Sequence, residues 1–174
     1  MREVELKGVV PDLARARAAL EAAGATRTYA GRLEDRRYDT ADRSLALKDH
    51  VLRLRVYRAD SVRSALDFKG PTTYVDGYKV REECSVPTGD PHDLALILER
   101  LGYEVTREID REIEQYALDG AVVRFECYPR MDVLVEVEGE PPAIERAIGA
   151  LGLPREGFTT ARLPDFVVAY EART

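Results

Sequence analysis

Charged and apolar residues alternate along six short segments, and this alternation constrains the fold more than any other feature. Side chains two residues apart on a β-strand point to the same face. In the first segment, Glu3, Glu5 and Lys7 alternate with Val4 and Leu6. Charged residues of the other segments follow the same rule: Arg53 with Arg55, Lys69, Lys79 with Arg81 and Glu83, Arg124 with Glu126, and Glu136 with Glu138. Each segment therefore predicts a strand with one charged face and one apolar face.

A charged strand face has two interpretations. For a single strand, the usual one is a sheet with one buried face and one solvated face. Six such strands, with Glu, Arg and Lys dominating and Thr and Ser scarce, instead favour an enclosed charged face. The apolar faces of the strands must then be shielded from water, and amphipathic helices packed against them can do this. Apolar spacing and terminal signals predict helices over Pro11–Ala23, from Asp90-Pro91 to Gly102, from Pro141-Pro142 to Gly152, and near Pro164–Tyr170.

Helices packed outside the sheet turn the charged face inwards, and a sheet of about eight strands can close into a barrel. Turn pairs such as Asp76-Gly77 and Asp119-Gly120 give short connections and favour antiparallel pairing. We therefore expect an α+β fold, a closed eight-stranded antiparallel β-barrel (tunnel) with helices packed outside. Nine strands are predicted: residues 3–9, 32–39, 51–58, 64–69, 78–86, 103–109, 112–118, 122–128 and 133–139.

Length and charge restrict the class of protein. The 174 residues predict a single domain over 1–174. A net charge of −6 at pH 7 argues against a nucleic-acid partner. No apolar run is long enough to span a bilayer, and charged residues directly follow Met1, so we expect no membrane association, no signal peptide and a cytoplasmic location. Cys84 and Cys127 are expected to be free thiols packed in the core. A homodimer is left open.

An enclosed set of charges is unstable unless the charges are paired or bind a ligand. Carboxylate oxygens suit Mg²⁺ or Mn²⁺, and arginine and lysine suit phosphate oxygens. The candidate carboxylates are Glu3, Glu5, Glu126, Glu136 and Glu138. These residue types together predict a site for a polyanion with one or two divalent cations.

At this point the residues resemble a known family. Glu3-Val4-Glu5-Leu6-Lys7 matches the ExExK signature of the CYTH superfamily, the triphosphate tunnel metalloenzymes. Later elements follow in the family's order: Tyr38-Asp39-Thr40, Leu52-Arg53-Leu54-Arg55, Phe68-Lys69-Gly70-Pro71, Lys79-Val80-Arg81-Glu82-Glu83 and Val135-Glu136-Val137-Glu138. The resemblance covers nearly the whole chain. It implies an eight-stranded tunnel that uses Mg²⁺ or Mn²⁺ to act on a triphosphate.

The resemblance also implies roles for individual residues. Basic residues of the charged faces are expected to contact phosphates: Lys7, Arg53, Arg55, Lys69, Lys79, Arg81 and Arg111. Four of them, Lys7, Arg53, Arg55 and Arg111, are expected to take part in catalysis. Glu3, Glu5, Glu136 and Glu138 are expected to hold metal. Glu83 and Glu126 are expected to bind metal or to orient the basic residues.

One position departs from the family pattern. The family shows a Lys-x-Arg pair before the strand of Tyr116, and the matching positions here are Arg111 and Ile113. Either Arg107 or Arg111 compensates through a shifted register, or one phosphate contact is missing. The pair Arg36-Arg37 predicts a solvated strand edge, although Arg37 could reach substrate.

Within the family, the chain resembles most the class IV adenylate cyclase branch and its archaeal relatives. That resemblance rests on Gly70-Pro71 before the Lys79–Glu83 segment, on Leu101-Gly102-Tyr103 after the second helix, and on length. It implies conversion of ATP to cyclic AMP and pyrophosphate. The alternatives are a triphosphatase acting on thiamine triphosphate or inorganic tripolyphosphate, a non-catalytic nucleotide or polyphosphate binding module, and a structural sheet with a solvated charged face.

Overall fold

A computed structural model describes residues 2–174 of the chain. The strands are β1 (Arg2–Val9), β2 (Thr26–Thr40), β3 (Val51–Arg58), β4 (Val62–Lys69), β5 (Thr73–Val75), β6 (Tyr78–Thr88), β7 (Tyr103–Leu118), β8 (Ala121–Cys127), β9 (Leu134–Gly139) and β10 (Phe158–Thr159). The helices are α1 (Leu13–Ala22), α2 (Pro91–Arg100), α3 (Pro141–Leu151) and α4 (Leu163–Glu171), with short 3₁₀ turns at Ala46–Lys48 and Arg155–Gly157.

The strands form one sheet in the order β10-β1-β9-β8-β7-β2-β3-β4-β6-β5. Strand β1 also pairs with β6, so the eight strands from β1 to β6 in this order close into a ring, and β10 and β5 lie beside it. Neighbouring strands such as β2 and β3, β3 and β4, and β8 and β9 run antiparallel. The predicted α+β fold, a closed eight-stranded antiparallel β-barrel with helices outside, is confirmed.

Two of the predicted turns are tight hairpins. Asp76 and Gly77 have φ angles of 52° and 82°, and Asp119 and Gly120 have φ angles of 44° and 85°. Two consecutive residues with positive φ are the mark of a type I′ turn, whose twist matches that of the flanking strands. These turns join β5 to β6 and β7 to β8.

The strand prediction was wrong at several boundaries. The two strands expected over residues 103–109 and 112–118 are one continuous strand, β7. No glycine or proline separates them, so nothing in the local sequence ends the first strand. Strand β2 begins at Thr26 rather than near residue 32, and the short strands β5 and β10 were not predicted.

The contacts of the chain group into two compact units. The first contains the N-terminal residues up to Glu3, together with Gly31–Thr73 and Arg81–Arg111. In its apolar core, α2 packs on β3, and the buried members of that core are Tyr38, Leu54, Val56, Ala95 and Leu98. Helix α2 begins where Asp90 accepts a hydrogen bond from the His92 amide at 2.7 Å, as an N-cap does.

The second unit contains Val4–Ala30, Tyr74–Val80 and Glu112–Thr174. Its core lies between α1 and α3 on one side and the apolar faces of β1, β8 and β9 on the other. Large buried members are Leu6, Leu20, Phe125, Val137 and Ile144. Helix α3 ends at Gly152 in the left-handed conformation (φ 67°), which glycine adopts without steric cost.

The two cysteines were predicted to be free thiols packed in the core. Both cysteines are free thiols, as expected, but Cys84 is exposed and Cys127 only partly buried, so the prediction that both pack in the core was wrong for Cys84.

No helix within residues 2–174 is both long enough and apolar enough to cross a membrane.

Candidate active site

The charged strand faces are buried rather than solvated. Glu5 is 4% exposed, Arg53 6% and Glu126 2%, although all three carry charge and lie opposite the apolar faces that meet the helices. Ionised side chains are rarely buried to this degree unless they are paired or bind a ligand. The alternative of a structural sheet with a solvated charged face is therefore excluded.

In the first unit, one carboxylate lies close to three arginines. Asp35 on β2 accepts hydrogen bonds from Nε and Nη2 of Arg55 at 2.8 and 3.1 Å. Nη1 of Arg111 lies 3.0 Å from Asp35, and Nη1 of Arg53 lies 3.6 Å away. Burial alone would raise the pKa of Asp35, but the charges of Arg55 and Arg53 outweigh burial and hold that pKa well below its usual value of 3.8.

A second buried carboxylate, Asp67 on β4, orients Arg53. It accepts hydrogen bonds from Nε and Nη2 of Arg53 at 3.1 and 2.7 Å, and from the Ser85 hydroxyl at 2.7 Å. Glu83 lies 3.7 Å from Arg53 and 3.2 Å from Nζ of Lys69, and Lys69 donates to Glu3 at 2.5 Å. Glu83 therefore lies between two predicted phosphate ligands, where a carboxylate fixes the positions of both.

Arg81, another predicted phosphate contact, holds two loops. Its Nε donates to the backbone carbonyl of Gly70 at 2.7 Å, and its Nη2 donates to that of Asp49 at 2.5 Å. The Asp49 carboxylate accepts from the Thr72 amide at 2.7 Å. Arg81 thus ties the loop after β4 to the loop before β3.

Tyr38-Asp39-Thr40, an element of the family resemblance, has a structural explanation. The Asp39 carboxylate accepts from the backbone amides of Thr40, Leu45 and Ala46 at 2.8, 2.9 and 2.9 Å. Burial opposes the charged form, but the hydrogen bonds from these amides lower the pKa of Asp39 below 3.8. The motif holds the loop that leads from β2 towards β3.

In the second unit, charges alternate in sign across three neighbouring strands. Glu136 on β9 is paired in register with Lys7 on β1 and with Arg124 on β8, and it forms an ion pair with each. Arg124 also lies 3.1 Å from Glu138, and Lys7 lies 3.8 Å from Glu126. Glu136 is thus placed to orient two cations.

Three carboxylates could hold a metal ion. Glu3 and Glu5 share one face of β1, and Glu138 is the register partner of Glu5. One carboxylate oxygen from each lies within 4.8 Å of the others. Hard oxygen donors of this kind suit Mg²⁺ or Mn²⁺. Lys79 forms an ion pair with Glu5, so a cation already compensates part of this negative charge.

The other predicted metal ligands lie outside this group of three. Glu136 lies between Lys7 and Arg124, as described above. Glu126 accepts from the Tyr128 hydroxyl at 2.8 Å and lies 3.5 Å from Nε of Arg124. Since their described neighbours are mainly donors and cations, these positions favour an orienting role for Glu83, Glu126 and Glu136.

At the position that departs from the family pattern, Ile113 pairs with Glu126 in an unbroken β7–β8 ladder. It is 1% exposed. Since β7 has no interruption, a shifted register does not restore an arginine at this position. Leu134 pairs with Glu126 from the other side, so an aliphatic side chain flanks this carboxylate on each neighbouring strand.

Sequence reasoning assigned no role in the site to three residues of these networks, although it placed Arg124 on a charged strand face. Asp35 and Asp67 neutralise the predicted arginines, and Arg124 shares Glu136 with Lys7. A signal existed in each case, because each residue lies two positions from a charged residue on the same face: Asp35 with Arg37, Asp67 with Lys69, and Arg124 with Glu126.

A closed antiparallel barrel with buried networks of cations and carboxylates has side chains that suit polyanions and metal ions. The CYTH domain family model matches residues 1–143. The chain therefore belongs to the CYTH domain family.

Solved structures share this fold. A Vibrio parahaemolyticus protein provisionally described as an adenylate cyclase is 16% identical, with a TM-score of 0.81 over 95% of this chain and 97% of its own. A Pyrococcus horikoshii protein is 22% identical, with a TM-score of 0.78 over 96% and 98% of the two chains. A Hippeastrum protein provisionally described as an adenylyl cyclase, with a dominant triphosphatase activity, is 17% identical, with a TM-score of 0.67 over 99% and 96%.

At these identities the likeness shows the fold and not the activity. No curated protein sequence matches the chain.

Proposed function

We propose that this chain is a divalent-metal-dependent enzyme that acts on a triphosphate, of the class IV adenylate cyclase type, converting ATP to cyclic AMP and pyrophosphate. The observation that carries the proposal is the grouping of Glu3, Glu5 and Glu138 on strands that also present Lys7 and its ion pairs. Carboxylates that suit a hard cation, close to buried basic side chains, are what a metal–triphosphate complex requires.

The basic residues of the networks have the chemistry to bind the phosphates. Arg53, Arg55 and Arg111 offer planar donors that suit phosphate oxygens, and Lys7 and Lys69 offer compact charges. Each of these cations is balanced by a carboxylate in the free protein. Binding of a triphosphate exchanges part of those carboxylate contacts for phosphate contacts and keeps the charges compensated.

In this proposal, Glu3, Glu5 and Glu138 hold Mg²⁺ or Mn²⁺, which would supply positive charge at the phosphate oxygens. Asp35 and Asp67 keep the arginine donors oriented before substrate arrives. Such preorganised donors stabilise charge that develops on the phosphates as the reaction proceeds. In the cyclase reaction the ribose 3′-hydroxyl attacks the α-phosphorus, whereas in a triphosphatase water attacks the γ-phosphorus.

A triphosphatase is the second candidate, because a structural neighbour from Hippeastrum has a dominant triphosphatase activity on the same fold. Incubation with ATP, thiamine triphosphate and tripolyphosphate under Mg²⁺ and Mn²⁺, with identification of products, separates the candidates. Cyclic AMP with pyrophosphate supports the cyclase, and orthophosphate with a diphosphate supports the triphosphatase. Metal-independent binding without any product would leave the non-catalytic binding module.

We further propose a single functional domain over residues 1–174, a cytoplasmic location and no nucleic-acid partner. The net charge of −6 supports the last of these, since nucleic-acid binding is usually accompanied by a basic excess. A shift assay with single- and double-stranded nucleic acids at low salt tests it, and salt-sensitive binding would overturn it. The homodimer stays an open prediction that sedimentation would decide.

A further inference from the structure

Two arginines face each other in the first unit. Arg37 on β2 is the direct register partner of Arg53 on β3, so the two side chains share one face of the sheet. Like charges directly opposite on neighbouring strands are destabilising. An anion bound beside the two arginines would therefore reduce the repulsion between their charges.

Among the described residues, carboxylates form ion pairs with Arg53 but not with Arg37. Arg53 lies 2.7 Å from Asp67 and 3.6 Å from Asp35. Arg37 is partly buried, its Nε is buried without a hydrogen-bond partner, and no carboxylate within residues 2–174 lies at ion-pair distance from it. The adjacent Arg36, on the opposite face, pairs normally with Glu108 at 3.0 Å.

A third arginine adds positive charge at the same place. Strand β7 lies beside β2, and the Thr106 hydroxyl donates to the carbonyl of Arg37 at 3.3 Å. The next residue, Arg107, is partly buried and also has no carboxylate partner in the described part of the chain. Burial, then the charges of Arg53 and Arg107, lower the pKa of Arg37 to about 10, so the side chain is still cationic at neutral pH.

We propose that Arg37, Arg53 and Arg107 form a binding site for a phosphate group, with Arg37 as its central contact. The assignment to a phosphate of the substrate rests on the proposed function. Arg37 and Arg107 are partly buried and form no ion pair with a described carboxylate, and Arg53 lies beside them. Such guanidinium groups on neighbouring strands favour a tetrahedral oxyanion, since each planar group can direct two donors at its oxygens.

The test compares Arg37→Gln with Arg36→Gln, which removes the same charge one residue away on the opposite face. Binding of tripolyphosphate with Mg²⁺ is measured by calorimetry, and stabilisation by inorganic phosphate alone is measured by thermal unfolding. We expect R37Q to weaken tripolyphosphate binding by about tenfold or more, as loss of a charge-assisted hydrogen bond predicts. We expect R36Q to bind like the wild-type protein.

The free R37Q protein gives an independent readout. Because the substitution removes repulsion from Arg53 and Arg107, R37Q without ligand should melt at or above the wild-type temperature while losing most of the phosphate-induced shift. Arg107→Gln tests the same site from β7 and should also weaken binding. Wild-type affinity in both R37Q and R107Q, or equal losses in R37Q and R36Q, overturns the proposal.

The same measurements distinguish a failure of the proposed function from a failure of the Arg37 site. If the wild-type protein neither turns over nor binds a triphosphate, the proposed function is wrong. An Arg37-dependent stabilisation by inorganic phosphate would then still support the anion site. If the wild-type protein binds tripolyphosphate and R37Q binds it equally well, the proposed function stands and the arginine site is wrong.

Discussion

Asp35 and Arg55 face each other across β2 and β3, and Nε and Nη2 of Arg55 donate to the two carboxylate oxygens at 2.8 and 3.1 Å. Because Arg53 and Arg111 also lie beside Asp35, its negative charge serves three buried guanidinium groups. Removing one partner of a buried ion pair is strongly destabilising, since the remaining charge is left uncompensated. Asp35 therefore stabilises the arginines that are proposed to bind phosphate.

Asp35→Asn should lower the free energy of unfolding by about 3 kcal/mol, because it removes this shared charge. Urea-induced unfolding measures the loss. Asp110→Asn is the matched control, since Asp110 forms a similar two-bond pair with Arg32, at 2.8 and 2.6 Å, on the surface. An exposed pair contributes about 1 kcal/mol or less. An equal loss of unfolding free energy in the two variants would show that the Asp35 charge does not stabilise the three buried arginines.

Acid should destabilise the protein through the same carboxylates. Burial opposes the charged form of Asp35, but Arg55 and Arg53 hold its pKa well below 3.8. Burial also opposes the charged form of Asp67, but Arg53 and Ser85 lower its pKa below 3.8. Each group contributes stability that is fully present above its unfolded pKa and is lost as pH falls through its folded pKa. The free energy of unfolding should therefore decrease below about pH 4, the ordinary aspartate pKa.

Urea unfolding across this acid range measures the dependence. Asp67→Asn should flatten it, because the substituted side chain does not titrate. An unfolding free energy that stays constant between neutral and strongly acidic pH would contradict the assigned directions.

Local periodicity explains why much of the site could be predicted. Side chains alternate strictly along a strand, so the shared face of Glu3, Glu5 and Lys7 follows from spacing alone. The enclosure of the charged face was predicted because the apolar face of the sheet needs to be covered by helices. The burial of the charged side chains confirms this prediction. The tight turns at Asp76-Gly77 and Asp119-Gly120 were also predictable, because their residues suit positive φ.

Pairings between distant strands were not predictable in the same way. The position of Glu138 opposite Glu5, and of Arg37 opposite Arg53, depends on register, which no local pattern in these strands specifies. For the same reason the pairing of Asp35 with Arg55 was not predictable. Short strands such as β10 form because a partner strand is present, so their own residues give little signal.

Tripolyphosphate with Mg²⁺ should raise the melting temperature, because a ligand that binds only the native state stabilises it by mass action. At a free ligand concentration about one hundredfold above Kd, the gain is about 2.7 kcal/mol. Thermal unfolding with ligand and metal together, and with each alone, measures the shift. An unchanged melting temperature at millimolar ligand would count against the site.

The roles of Glu5 and Glu136 can be separated by metal rescue. Both were predicted as metal ligands, and Glu→Gln at either position should reduce turnover about a hundredfold or more while leaving the fold intact. Glu5 lies in the carboxylate group with Glu3 and Glu138. Glutamine there keeps the size but loses the charge that attracts a hard cation, so a higher metal concentration should partly restore activity.

Glu136 lies outside this group and forms ion pairs with two cations, Lys7 and Arg124. Glutamine at this position leaves two cations without their shared carboxylate, and additional metal cannot replace it. We therefore expect E136Q to stay inactive across a Mg²⁺ titration that partly rescues E5Q, with circular dichroism confirming that both variants are folded. Rescue of E136Q alone would place the metal at Glu136 and overturn the assignment to Glu3, Glu5 and Glu138.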